Sequence, residues 1–298
     1  MAVENAKHDA LITDTWPWYV GTVLPHLETA DSFLDAWHDR YMSRWLAIRR
    51  MCLRDYEKQG ESWRELGAKW TYPVVQSAHR EMARGHAALL NALPDLDASY
   101  QVLTGGHSRI RYVILVDIGF AGWATSYRGR RAVLLGLAQI ARLGWHRAAC
   151  LRDLVGHELG HHSHQLWRHG KRGLKPVEGP FGQLYEEGFA QRLSRALGNR
   201  RWHQASGNWR GWLARCRRQL PRLARKFLAT VRTHGDIRPF FGDWFELDGL
   251  SMTGYFMGHE LIAGLERRGM SLRNIAQLPS QVVVEEAERY LRSVSEKD

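Results

Sequence analysis

His157-Glu158-Leu159-Gly160-His161 sets two imidazoles four residues apart, with a carboxylate beside the first. On an α-helix that spacing puts both rings on one face, where they can share a metal ion. Glu158 lies about 100° further round the same turn, within reach of a proton on a metal-bound water. Two neutral imidazoles leave most of a zinc ion's charge in place, so the bound water acidifies toward a pKa of about 7. The chemistry this implies is hydrolysis by a metal-activated water, with Glu158 as general base.

The flanking sequence supports a helix there. Leu151, Leu154, Val155, Leu159 and Leu166 recur at helical spacing, and no proline occurs between Ala132 and Lys175. A catalytic zinc usually takes three protein ligands and one water. The pattern that adds a glycine three residues and a histidine six residues beyond the second histidine is absent, because His164 and Trp167 stand there. His162 points about 100° away from His161, and His164 is no better placed on an unbroken helix. His169 reaches back only if the helix ends early, near Gly170. Tyr185-Glu186-Glu187-Gly188-Phe189-Ala190 offers a carboxylate from a segment expected to open a second helix, and Glu178 offers one from a loop.

His157-Glu158-x-x-His161 followed by Glu187-Gly188-Phe189-Ala190 resembles the gluzincin metallopeptidases, and among them a set of proteases inferred to use zinc on substrates not yet defined. The resemblance implies a Zn2+ cofactor, peptide-bond hydrolysis, and Glu187 rather than Glu186 as third ligand beside His157 and His161. Two features depart from the family pattern. The 25 residues between His161 and Glu187 exceed the aminopeptidase gap, and residues 168–184 are rich in Gly and Pro and read as a loop. Gln191 stands four residues after Glu187, where thermolysin-like enzymes carry an acid. Its amide oxygen could still accept from a ligand imidazole, with a less basic result. Further on, Gly254-Tyr255-Phe256-Met257-Gly258 has helical periodicity, and Tyr255 and His259 share a face. The resemblance implies Tyr255 as hydrogen-bond donor to the oxyanion, with His259 in reserve.

Other segments must position these residues. Arg111–Gly119 is rich in β-branched residues and reads as a buried strand. Gly119 to Arg131 suits turns, and Ala132–Leu137 suits a second strand. In gluzincins an edge strand ahead of the zinc helix holds an extended peptide by backbone hydrogen bonds, which the resemblance implies here. Asp31-Ser32 can cap a helix through Phe33, Leu34, Trp37, Tyr41, Trp45 and Ile48, and Pro73 and Pro94 punctuate two more. The expected fold is α+β and mostly α-helical, with a small β-sheet followed by a zinc-binding helix pair. Residues 1–100 read as a helical cap or propeptide-like region and 101–298 as the metallopeptidase-like domain, with the boundary near Tyr100–Ser108.

Charge offers an alternative from another class. The net charge is +11, and between Gly188 and Gly235 twelve Lys or Arg occur with no Asp or Glu. Trp202, Trp209 and Trp212 are interleaved. Such a block attracts phosphate backbones, an anionic membrane surface or an acidic peptide substrate, although most such runs are solvated helix faces. A nucleic-acid-binding regulator on a degenerate peptidase fold is therefore the competing expectation. The three cysteines are too scattered for a disulfide framework or a cysteine zinc site, which suits a reducing compartment. Met1–Ala10 is charged and lacks a signal-like apolar core. No apolar run reaches about 18 residues, so no membrane span and a cytoplasmic location are expected.

Overall fold

The computed structural model describes residues 11–106, 109–171, 173–205 and 211–296. The expectation for Met1–Ala10, the end of the Tyr100–Ser108 boundary, and Trp209 and Arg210 of the basic block lie outside the described residues. Among these residues the protein is α+β and mostly helical, with one four-stranded sheet. Two units divide the chain, Met1–Val155 with Ser206–Asn208 and Gly156–Ala205 with Trp209–Asp298. No described helix is long and apolar enough to cross a membrane.

The first unit holds the sheet. Its strands are β1 (Ile12–Asp14), β2 (Arg111–Leu115), β3 (Gly122–Tyr127) and β4 (Arg130–Gly136), ordered β1-β2-β4-β3. β1, β2 and β4 run parallel, while β3 is antiparallel to β4. Val113, Ile114, Leu115, Val133, Leu134 and Leu135 are all fully buried, as central parallel strands require. Gly122–Tyr127 forms a strand where turns were expected. The chain bends at Gly119 and Ala121 ahead of the strand, and Arg128 and Gly129 turn after it, at φ +50° and +71°, the two left-handed residues that a tight hairpin needs.

The helix expected from Asp31-Ser32 also differs from its sequence reading. Thr29, not Asp31-Ser32, caps α1 (Ala30–Asp35), its side chain accepting from the Ser32 amide at 3.1 Å. The chain then widens to a π-helical turn over Ala36–Tyr41 and tightens over Met42–Trp45 before α2 (Leu46–Gln59). Trp37 Nε1 donates to the Val116 carbonyl and the Val116 amide donates to the Tyr41 hydroxyl, so one strand-end residue claims two aromatics of this turn. Pro94 does not end a helix. It lies inside α3 (His79–Thr104), which runs 26 residues. α4 (Leu137–Arg142) follows β4 directly.

α5 (Ala148–His169) begins in the first unit and ends in the second. The second unit adds α6 (Gly179–Ala196), α7 (Trp212–Arg232), α8 (Thr253–Arg267) and α9 (Ser280–Ser295). Only residues 170–178 separate α5 from α6, about half the loop read from the sequence. Pro180 falls in the first turn, where a missing amide costs nothing and its fixed φ suits the helix. Gly182 is inside the helix, at a place where a Cβ would lie 2.1 Å from the Val177 carbonyl oxygen. Glu187 therefore sits well inside α6 rather than at its opening.

Candidate metal centre

Glycines set the helices close enough for the motifs to meet. A Cβ on Gly160 would lie 2.5 Å from the Ala190 Cα, and one on Gly156 would lie 2.7 Å from Ser194 Oγ. α5 and α6 thus cross antiparallel, with the Gly156 and Gly160 backbone pressed on α6. His157 and His161 each follow one of these glycines, so each ring starts beside α6. A Cβ on Gly188 would lie 2.1 Å from the Gly258 carbonyl carbon, which brings α8 against the same stretch of α6. The three sequence motifs are each other's contact surfaces.

At that junction three donor atoms converge. His157 Nε2 lies 3.0 Å from Glu187 Oε2, His161 Nε2 lies 3.4 Å from the same oxygen, and the two imidazole nitrogens are 3.1 Å apart. Tetrahedral zinc with bonds of about 2.0–2.1 Å separates neighbouring donors by about 3.3 Å, so these residues fit the ion. They form the candidate metal-holding group among the described residues. The His157 side chain is buried, whereas those of His161 and Glu187 remain 21% and 18% exposed, which leaves an approach to the cluster.

Electrostatics point the same way. Burial alone would lower the His161 pKa, but the charge and hydrogen bond of Glu187 prevail and lift it to about 9. Burial alone would raise that of Glu187, and the charge of His161 with hydrogen bonds from both imidazoles holds it well below the usual carboxylate range. The trio holds a proton near neutral pH that a cation would displace.

Glu158 is buried beside the trio, and its charge acts on both His161 and Tyr255. The Tyr255 ring lies 5.6 Å from that of His157. Burial first, then the charges of Glu187, Glu158 and Asp243, push its hydroxyl pKa far up and keep it a proton donor. His259 is engaged elsewhere: Nε2 is 3.1 Å from Arg192, Nδ1 is 3.1 Å from Glu260, and its ring packs on Trp202.

The other candidate ligands stay outside the trio. His164, seven residues after His157, does face α6, but its ring sits between Tyr185 and Phe189, and Glu186 Oε1 is 3.8 Å from its Nδ1. Burial, then the Arg168 charge, push its pKa down to about 3. His162 is buried, His169 is exposed at the end of α5, and Glu178 precedes α6. Gln191 accepts from Gln204 Nε2 at 3.3 Å, and His157 Nδ1 has no hydrogen-bond partner among the described residues. The expected amide-to-imidazole bond is thus not made to His157 Nδ1. Sequence reasoning missed His203, whose buried ring lies 5.6 Å from that of His157. A single histidine between Trp202 and Gln204 carries no spacing signal; only the tertiary fold places it there.

No family model, no curated protein and no solved structure matches this chain.

The basic block is tied into its own unit. Arg222 and Lys226 both pair with Asp248, Arg192 pairs with Glu266, and Arg215 and Arg225 donate to the Gly249 and Ser295 carbonyls. Trp202 and Trp212 are buried in a cluster with Cys216, Leu250 and Phe256, so neither is available to stack on a base.

Proposed function

We propose that this protein is a zinc-dependent peptidase of the gluzincin type, acting on a peptide or protein substrate. His157, His161 and Glu187 would hold the ion. Bound zinc would polarise the scissile carbonyl and acidify the attacking water. Glu158 takes the proton of that water and passes it to the leaving amine. Tyr255 donates to the carbonyl oxygen as negative charge grows there. The burial of Glu158 and His157 keeps bulk water from competing with these transfers. The observation that carries the reading is the meeting of donors from two helices at 3.0–3.4 Å around one point. Cys52, Cys150 and Cys216 are buried and form no disulfide among the described residues, which favours a reducing, cytoplasmic setting.

Glu158→Gln tests the mechanism. Zinc content should stay at the wild-type level while peptide hydrolysis falls by about 10²–10⁴-fold. Hydrolysis at the wild-type rate would reject Glu158 as the base.

A second reading, a nucleic-acid-binding regulator, rests on α7. Arg215, Arg218, Arg222, Arg225 and Arg232 fall within an arc of about 100°, opposite the buried Trp212, Cys216, Leu223 and Phe227. It requires affinity for duplex nucleic acid that drops steeply with salt. Affinity insensitive to salt would exclude it.

A further inference from the structure

Gln191 and His203 lie beside the trio without a part in the hydrolytic scheme. Gln191 is fully buried on α6, one turn beyond Glu187. Gln204, also fully buried, donates to its amide oxygen at 3.3 Å. That bond ties the short turn His203–Ala205 to the ligand-bearing helix. The preceding residue in this turn, His203, meets the His157 ring at 5.6 Å and 72°, an edge-to-face contact.

His157 needs such a contact. With an ion on Nε2 its hydrogen would sit on the buried Nδ1, and that atom has no hydrogen-bond partner among the described residues. Imidazole χ2 is a broad torsion that sets itself poorly. Metal-ligating histidines are usually oriented by a hydrogen bond from the second nitrogen. Here the ring is instead enclosed by three others: His161 at 4.8 Å, Tyr255 at 5.6 Å and His203 at 5.6 Å. His161 and Tyr255 have chemical duties in the scheme above; His203 has none.

We infer that His203 is a positioning residue for His157, held against it by the Gln204–Gln191 amide bond, so that a packed ring performs the orienting role of a hydrogen-bonded carboxylate. The inference rests on the zinc reading. It explains why an amide at position 191 is compatible with the site: the amide anchors the turn.

Zinc affinity measured by chelator competition tests it, with kcat/KM alongside. His203→Phe keeps the ring and removes both nitrogens; it should bind zinc within about threefold of wild type. His203→Ala removes the ring and should weaken zinc binding by about 10–100-fold, the usual effect of losing an orienting partner. Gln204→Leu removes the latch at similar bulk and should weaken zinc binding in the same direction, which keeps the test open if His203→Ala fails to fold. His203→Ala or Gln204→Leu binding zinc as wild type does would overturn the inference. So would a His203→Phe defect as large as that of Ala, because nitrogen chemistry would then be at work. A wild-type protein that binds no zinc would instead overturn the metallopeptidase reading beneath it.

Discussion

His161 and His164 lie three residues apart on one stripe of α5, both facing α6, yet their environments drive them in opposite directions. His161 meets the Glu187 carboxylate, keeps a fifth of its side chain exposed, and is lifted to a pKa of about 9. His164 meets Tyr185 and Phe189, is buried, and is lowered to about 3. Even Glu186, with Oε1 at 3.8 Å, does not reverse the cost of burying a charge beside Arg168. Residue type and spacing nominate ligands; what the facing helix presents decides which of them can serve. The same stretch of α6 offers a carboxylate to one and aromatic rings to the other.

Among these variants, those at the trio should have the largest effect. Tyr255→Phe keeps the ring beside His157 and deletes the hydroxyl, so it should cut kcat by about 10²–10³-fold with zinc content unchanged. A loss confined to KM would assign Tyr255 to substrate binding instead. Gly160→Ala acts on the crossing itself. The added methyl meets the Ala190 backbone at 2.5 Å, so α5 and α6 must separate and Glu187 must retreat from the rings. Denaturant titration should show a loss of about 1–3 kcal/mol, with weaker zinc binding. Wild-type values of both would mean that close approach is not what assembles the trio.

The smallest expected effect probes the His164 side. Its folded pKa is about 3 against an ordinary 6.5, so the neutral form is favoured by folding. That contribution is fully present above pH 6.5 and is lost as pH falls from 6.5 toward 3. Between pH 7 and pH 5 it amounts to about 2 kcal/mol. His164→Phe should lose less stability than wild type over this interval, by roughly that amount. Equal slopes for the two proteins would show that His164 does not titrate in the way its surroundings dictate.

How much of this was legible beforehand depended on whether the cause was local. The His157–His161 pair and the α8 periodicity follow from spacing within one helix. The strand Arg111–Leu115 was legible from its β-branched residues, and Arg130–Gly136 from the apolar segment Ala132–Leu137. Errors arose where glycine or proline was read as a chain breaker but served as a contact or a helix start. Gly182 admits the Val177 backbone, Pro180 begins α6, Pro94 is carried within α3, and Gly122 opens a strand. The irregular pitch after Asp35 depends on Val116, 79 residues beyond Trp37, and no local pattern encodes that. His203 and the Gln204 latch belong to the same class: they exist only through tertiary contact.

The central claim is that His157, His161 and Glu187 share one ion, while the adjacent Glu186 does not take part. Zinc stoichiometry and affinity of Glu187→Gln and Glu186→Gln, measured side by side with wild type, test it most directly. The account predicts about one tightly bound zinc per chain in wild type and in Glu186→Gln, and a large loss of affinity in Glu187→Gln. Equal binding by both variants, or loss in Glu186→Gln alone, would contradict it.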